Sequence, residues 1–498
     1  MRQRTTFIHR PGDAVDPALL QISADSLSGP VIKAAREDRL TLALDDLPSE
    51  LQTLLRDTRK LHIRWASSRL SESVSPLFST LPPGFHLFYS PLSSTGKDTQ
   101  TLCEALSTAF GDVDCSSPEE SFTTLPHERS SRSTTFQYFQ PLESVSKFAR
   151  YAVKTACSAA DESCAAQVER LSKASSLDIS YDAIVGDLKI TARWPYQAQT
   201  LRVPTQQYRT EVGILAEDKP PNLEPQELGL SGLLTVLGQD SAPSPTLFSF
   251  PSRHRHAEGS FSAKFLSPTG MHPTLQITLE STEQPSKDST CSPYAYLTLP
   301  RSIFPDKYQL ADDLLLASKN LTALRYVSQP VDLEAPEYAM KLWGSAILLE
   351  LSPPTAEKPK QWSVEVPLHL RYLAPSQGGY QDIDIPYPAV FWACEAVEGT
   401  QFATNPFDQA SLGYDGFFEP STAFWHVDPR PSTGEQLINR VTVPVLDLDK
   451  SKWVNRGTAA AIIIGFAWIV WKLLPGLARP NNKGEAARPA NTENKKMR

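Results

Sequence analysis

At 498 residues the chain exceeds what one ordinary hydrophobic core supports, so two or three domains are expected. Hydrophobic residues at 40% and charged residues at 21% are globular composition, and 42 prolines, against a usual share of about 5%, point to many short strands and turns. The net charge of −8 comes with no dominant basic block, which excludes nucleic acid as the main partner because phosphate binding needs a concentrated Lys/Arg surface.

In chain order, Met1–Arg10 carries Arg2, Arg4 and Arg10 but no apolar run follows, so it does not read as a cleavable signal peptide. Residues 1–135 mix strand-like runs, Leu61–Trp65 and Phe85–Tyr89, with a helical stretch near Thr99–Phe110 that ends at Gly111, and predict an N-terminal α/β domain. The polar segment Glu128–Thr135 marks its end as a loop. Residues 136–176 form a helical connector: Val145, Phe148, Ala149, Ala152, Val153 and Ala156 recur at helical spacing, and Val168 and Leu171 close one long or interrupted helix pair. From 177 to 446 the period changes to two. Leu188, Ile190 and Ala192 alternate with polar neighbours, as do Leu275, Ile277 and Leu279, and then Val364, Val366, Leu368 and Leu370. With Lys219–Pro225 and Ser281–Ser289 as loops, the expected fold is mainly β, an antiparallel β-sandwich with a smaller α/β unit before it and one transmembrane helix after it.

That helix is expected at Gly457–Leu474, GTAAAIIIGFAWIVWKLL, a length of about 27 Å that matches a thin bilayer core. Trp453, Trp468 and Trp471 suit the headgroup zones, and Lys472 can snorkel. Gly457, Ala461 and Gly465 place small residues on one helix face, where another helix could approach. Residues 475–498 are a basic tail, so the positive-inside rule puts the tail in the cytosol and the ectodomain in the lumen. Lys495 and Lys496 resemble a dilysine retrieval signal and point to the endoplasmic reticulum (ER) membrane. Asn320-Leu321-Thr322 is the one N-glycosylation acceptor in the sequence. Cys103, Cys115, Cys157, Cys164, Cys291 and Cys394 show no zinc-type spacing, and a lumenal location would let some of them pair, in a pattern the sequence leaves open. Cys157 and Cys164, read on one helix, would be separated by a rise of roughly 10 Å, too far for a bridge.

Chemistry-bearing patterns are few, and no catalytic, cofactor-binding or metal-ligating set is assigned. Asp112-Val113-Asp114, Asp382-Ile383-Asp384 and Asp447-Leu448-Asp449 could each point two carboxylates to one side of a strand and hold a divalent ion, but none adjoins a phosphate loop, so they read as solvated acidic faces. Arg253-His254-Arg255-His256 reads as an exposed basic loop, and His369 as a sheet-surface residue rather than a general base. Aromatic residues are dense between Trp343 and Trp425. Most are expected in the core, with Tyr414–Phe418 the best candidate for an exposed contact patch.

The block Pro367-Leu368-His369-Leu370-Arg371-Tyr372, with Tyr380, Pro386-Tyr387-Pro388 and Phe391-Trp392-Ala393-Cys394, resembles the signature of one family: animal phosphatidylinositol-glycan class X and its fungal counterpart, the protease B non-derepressible protein. Glu211–Leu215, Asn405–Asp408, Gly413–Gly416 and the opening Met1–Phe7 are similar too, so the likeness spans the chain in the fungal case and runs from about 180 to the membrane span in the animal case. The resemblance implies a non-catalytic accessory subunit, without cofactor, that stabilises the multi-span catalytic subunit of glycosylphosphatidylinositol (GPI) mannosyltransferase I, which adds the first mannose in GPI-anchor biosynthesis. The alternative is a general lumenal chaperone for ER client proteins.

Overall fold

The computed structural model describes residues 1–92, 100–111, 113–126, 134–157, 162–205, 208–286, 289–328, 331–353, 361–396, 400–402, 405–407 and 412–477. Met1–Leu373 with Asp382–Val443 makes one compact unit, and Ala374–Gln381 with the segment from Pro444 makes a second.

In the first unit the described residues form a sheet of twelve strands: β1 (Arg2–His9), β2 (Gln21–Ile22), β3 (Ser26–Ala43), β4 (Thr58–Ala66), β5 (Gly84–Pro91), β6 (Thr123–Leu125), β7 (Thr135–Gln140), β8 (Ser176–Asp182), β9 (Asp187–Pro204), β10 (Arg209–Asp218), β11 (Glu227–Val236) and β12 (Ser244–Pro251). Their spatial order is β12-β11-β10-β1-β3-β9-β8-β4-β5-β7-β6, with β2 on β3. The boundary expected at residue 135 is therefore corrected: β1 pairs in parallel with β10 and antiparallel with β3, and β4 pairs with β8, so one sheet draws on both sides of it. Local patterning carries no trace of pairing between residues 200 positions apart. Met1–Arg10, which does not read as a cleavable signal peptide, supplies this interior strand. The long strands β3 and β9 shift register between Ser28 and Val31 and again between Ala34 and Arg36, bulges that bend the sheet. A separate core of Phe7, Leu27, Ile32, Leu201, Val203, Val212 and Ile214 fills the side near these bulges.

The strands that follow are β13 (His254–Phe265), β14 (Thr274–Leu279), β15 (Cys291–Pro300), β16 (Ile303–Phe304), β17 (Leu321–Val327), β18 (Gly344–Leu351), β19 (Trp362–Pro367), β20 (His369–Leu370), β21 (Tyr380–Pro386), β22 (Ala389–Glu395), β23 (Thr422–Pro429) and β24 (Ile438–Pro444). Eight of them form the second sheet in the order β17-β18-β15-β22-β23-β13-β14-β19, and β16–β20 and β21–β24 are two-stranded pairs. The period-two reading holds here: Leu275, Ile277, Leu279, Val364 and Val366 are buried while their polar neighbours are half-exposed. The fold is mainly β, as expected, and most pairs are antiparallel, with β1–β10 and β13–β23 parallel. One continuous core joins the two sheets, taking Leu61, Ile63, Leu87 and Phe88 from the first and Tyr296, Leu348, Phe391 and Phe424 from the second.

Helices α1 (Ser49–Arg56), α2 (Gln100–Phe110), α3 (Pro118–Ser121), α4 (Ser146–Ala156), α5 (Glu162–Glu169) and α6 (Asp313–Ser318) decorate the sheets. Leu55, Leu102, Leu106, Phe110 and Phe148 insert into the shared core, and α2 ends at Gly111, whose φ of 89° suits a glycine stop. The interrupted helix pair is α4 with α5, and it overturns the exclusion of a Cys157–Cys164 bridge. Cys157 follows the last turn of α4 in extended backbone, so the two Cα atoms are 5.7 Å apart and bonded through sulfur. Cys103–Cys115 and Cys291–Cys394 complete three disulfides that use every cysteine.

The second unit is a hairpin-like loop and a helix. Ser376 pairs with Asp447, Ser376 N donates to Leu446 O and Val445 N to Gly379 O, fixing the entry to α7 (Leu448–Leu477). This helix starts nine residues before the apolar run because Asp447 caps it through its side chain to Asp449 N and its carbonyl to Ser451 N. Among the described residues it is the one helix long and apolar enough to cross a bilayer, and none of its span is buried in protein. Trp468 and Trp471 meet edge to face, and Lys472 lies 5.0 and 5.5 Å from their ring centres.

Candidate functional site

The most concentrated chemistry in the first unit is a row of charged and polar side chains crossing the large sheet under the second one. Strand register builds it. Arg4 on β1 lies opposite Arg39 on β3, Arg39 opposite Thr191 on β9, Thr191 opposite Asp178 on β8, Asp178 opposite Arg64 on β4, and Arg64 opposite His86 on β5. Two residues along the same face, a second row runs Glu37, Arg193, Ser176 and Ala66.

Most of these side chains pair with one another, though Arg64 Nη1 and Arg4 Nε are buried without an acceptor among the described residues. Glu37 is fully buried and receives Arg4 Nη2 at 2.7 Å, Arg193 Nε at 3.2 Å and Arg39 Nη2 at 3.4 Å. Burial favours its neutral form, yet Arg39, Arg193 and Arg4 together hold it below the ordinary carboxylate range. Asp178 takes Arg64 Nε at 2.9 Å and His62 Nε2 at 3.0 Å. Against the upward push of burial, Arg64 and the His62 hydrogen bond lower it to about 2. Both carboxylates thus stay ionised near neutral pH and have no proton to donate in general acid catalysis.

A second polar chain links the sheets. Arg64 Nη2 donates to Ser79 Oγ at 3.2 Å; the adjoining Thr80 Oγ1 meets His426 Nδ1 at 2.9 Å, and His426 Nε2 meets His254 Nδ1 at 2.9 Å. Tyr414 donates its hydroxyl to Thr80 O at 3.2 Å. Burial pushes His254 well below its ordinary range, His426 adding to it, and burial likewise takes His426 and His86 down to about 3. The pair is neutral, sharing one N–H···N hydrogen bond.

The basic tetrapeptide is consequently misplaced by sequence reasoning. Arg253-His254-Arg255-His256 runs into β13; His254 is buried between Phe424 and His426, Arg253 lies over the Phe424 ring at 4.8 Å and Arg255 over Trp425 at 5.3 Å. Its polarity suggested solvent, but the partners that bury it sit on β23, some 170 residues on. The contact patch expected at Tyr414–Phe418 is corrected likewise. Tyr414 is fully buried and stacks on Phe391 at 4.6 Å, while Phe417 and Phe418 pack on the same core. At Gly413, with φ 79°, a Cβ would lie 2.8 Å from the Phe88 ring and 2.9 Å from the Tyr296 hydroxyl, so glycine lets this loop seat Tyr414.

Other singled-out residues are dispersed. Asp384 forms a two-pronged pair with Arg440 at 2.8 and 3.2 Å and Asp382 accepts from Thr442, on the exposed side of β21 and β24. Asp114 pairs with Arg301 at 2.7 Å, Asp447 caps α7, and Asp112 is outside the described residues. Among the described residues no three His, Cys, Asp or Glu side chains are grouped as a metal site. His369 is half-buried, hydrogen-bonded to Gln309 Oε1 at 3.0 Å, and its Nδ1 meets His272 Nδ1 at 3.0 Å. Asn320 is exposed at the turn before the edge strand β17, in left-handed backbone (φ 57°), with Nδ2 donating to Ser363 O at 2.8 Å. Lys495 and Lys496 lie outside the described residues.

The motifs that carry the family resemblance serve as joints. Asn405 Oδ1 accepts from Phe407 N, and the loop so made offers Pro406 O to Arg4 and Phe407 O to Arg193, closing the Glu37 cluster from the C-terminal side. Cys394 on β22 faces Cys291 directly across from it on β15. Arg371 is buried over the Phe304 ring at 4.3 Å and donates to Ala335 O at 2.8 Å. Tyr387 Oη accepts from Ser432 N at 2.8 Å.

A family model described as PIG-X / PBN1 matches residues 268–474. Among curated proteins, the chain is 57% identical to Protein pbn1 of Neurospora crassa over 98% of both chains, 48% identical to Protein PBN1 of Gibberella zeae over 95% of both, and 42% identical to Protein pbn1 of Emericella nidulans over 95% of both.

Proposed function

The chain belongs to the PIG-X / PBN1 family, and from that premise we propose that it is a non-catalytic accessory subunit in GPI-anchor biosynthesis. Its role is to stabilise the multi-span catalytic subunit of mannosyltransferase I, the enzyme of the first mannose. It sits in the ER membrane as a single-pass protein, with residues 1–446 lumenal and the basic tail, including Lys495 and Lys496, cytosolic. The observation that carries the orientation is that all six cysteines precede α7, the one helix among the described residues long and apolar enough to cross a bilayer, and all are joined in disulfides, a state that an oxidising lumen maintains and a reducing cytosol does not. The exposed Asn320 acceptor on the same side of the helix in sequence supports it. Binding to the folded partner alone raises that partner's stability by mass action, with no chemistry required.

Depletion of the chain should lower the amount of catalytic subunit and, in the same proportion, transfer of the first mannose. A catalytic subunit that stays at normal abundance but is inactive refutes stabilisation. Topology is tested by an endoglycosidase-sensitive shift that disappears in Asn320→Gln, with residues 1–446 resistant to protease in sealed microsomes.

A further inference from the structure

Where the second polar row reaches β8 and β4, its side chains shrink to Ser176 and Ala66, and a cavity of about 150 Å³ opens between the sheets beside Arg64 and Arg193. Ser79 and Thr80 border it from the 71–83 loop, Tyr387 from the turn before β22, and Val390 from β22 in the second sheet. Two features make the place electropositive. First, four guanidiniums, of Arg4, Arg39, Arg64 and Arg193, share only two carboxylates, Glu37 and Asp178, while Arg36 is already matched by Asp38. Among the described residues at the cavity, Glu72 is the further carboxylate, and Arg10 engages it at the surface. Second, Arg64 is 2% exposed, and its Nη1 is buried and donates to no acceptor among the described residues. A buried guanidinium donor without a partner is costly, and so is unmatched buried charge, and one ligand class removes both costs.

We propose that this cavity binds a small oxyanion, inorganic phosphate or the phosphate monoester of a headgroup, between Arg64 and Arg193 with the hydroxyls of Ser79 and Ser176 beside it. The volume admits a phosphate group. Burial, with the charge of Arg193 adding to it, pushes the Arg64 guanidinium below its ordinary range, and a bound anion relieves both. The site is independent of the accessory role: it concerns what the ectodomain holds, not what it supports.

The test is thermal unfolding and calorimetric titration of the full chain in detergent micelles, with sodium phosphate and with glycerol phosphate, each against sodium chloride at matched ionic strength. A saturable rise in Tm of several degrees is expected with at least one phosphate probe and not with chloride. A response to glycerol phosphate alone identifies a headgroup as the source, and a response to inorganic phosphate identifies the free anion. Arg64→Lys keeps a cation against Asp178 but removes the unpartnered donor, and Ala66→Leu fills the cavity while leaving both arginines; each should weaken binding at least tenfold. If Arg64→Lys does not fold, Ala66→Leu and the wild-type titration decide. Equal shifts in all salts, no calorimetric binding by the wild type, or undiminished binding in Ala66→Leu overturns the proposal.

Discussion

Acidification should unfold the first unit through histidines that the fold keeps neutral. His86, His254 and His426 are all buried, and burial depresses each: His86 and His426 to about 3 and His254 well below its ordinary value. In the unfolded chain each titrates near 6.5. Between about 6.5 and 3 the unfolded state therefore binds more protons than the folded one, so stability is complete above the ordinary histidine range and falls as pH drops through it. From pH 7 to pH 5 each histidine contributes a loss of about 2 kcal/mol, and three give about 6 kcal/mol, comparable to the whole stability of many domains. Asp178 and Glu37 add the same sign only at lower pH, where unfolded carboxylates begin to protonate. His256 opposes: its hydrogen bond to Asp428 raises it, but both partners are substantially exposed and the effect is small. The assay is thermal unfolding of the full chain in micelles at pH 7, 6 and 5, where a fall in Tm on the order of 10 °C is expected. His254→Gln should remove about a third of the pH dependence. A Tm that is flat from pH 7 to 5 refutes the reasoning, as does a His254→Gln slope equal to wild type.

Glu37→Gln leaves three guanidiniums around a neutral amide and should cost about 3–5 kcal/mol by denaturant titration. Gly413→Ala combines a positive φ with contact at 2.8 Å to the Phe88 ring, and a loss of about 3 kcal/mol should appear as a lower denaturation midpoint with unchanged m. Replacing Cys291 and Cys394 together by serine opens a loop of 103 residues, so about 4–5 kcal/mol should be lost, and reductant should lower the wild-type Tm in the same direction. Asp384→Asn removes only an exposed pair with Arg440; a change of about 1 kcal/mol or less and unaltered first-mannose transfer are expected, whereas lost transfer at normal expression favours an enzymatic Asp-x-Asp site.

What was legible in the sequence is what short-range physics determines. Alternation at Leu275–Leu279 and Val364–Val366 reports a half-buried strand because side chains point to opposite faces in turn, and the stop at Gly111 reports a helix end. What was illegible depends on distant partners. The charge of Arg4, Glu37, Arg39, Arg64 and Asp178 reads as surface in any local window, yet register across β1, β3, β9, β8 and β4 lays these residues side by side, where guanidiniums pair with Glu37 and Asp178. The same error placed His254 in solvent. Cys157 and Cys164 misled in the opposite way: a correct helix rule was applied through a residue that lies past the end of α4.

The motifs behind the family resemblance bear on how function should be sought. Asn405–Phe407 receives Arg4 and Arg193 from the large sheet, Gly413-Tyr414 reaches Thr80 and stacks on Phe391, and Cys394 is bonded to Cys291. Each is a place where the second sheet is fastened to the first or to itself, and each tolerates few residue types for reasons of geometry: the Asn405 side chain must close the turn that aims two backbone carbonyls at guanidiniums, a Cβ has no room, two sulfurs must meet. Recognisable sequence here marks joints within the first unit, and on the proposed role those joints hold in place the surface that a stabilised partner would meet. A contact surface for the proposed partner makes no comparable demand on internal geometry, so it is expected among exposed residues such as Tyr308, Leu314 and Tyr338 rather than among the motifs. Alanine or charge-introducing substitutions there should weaken association with the proposed catalytic partner while leaving the Tm of the chain unchanged; a fall in both together would place those residues with the joints instead.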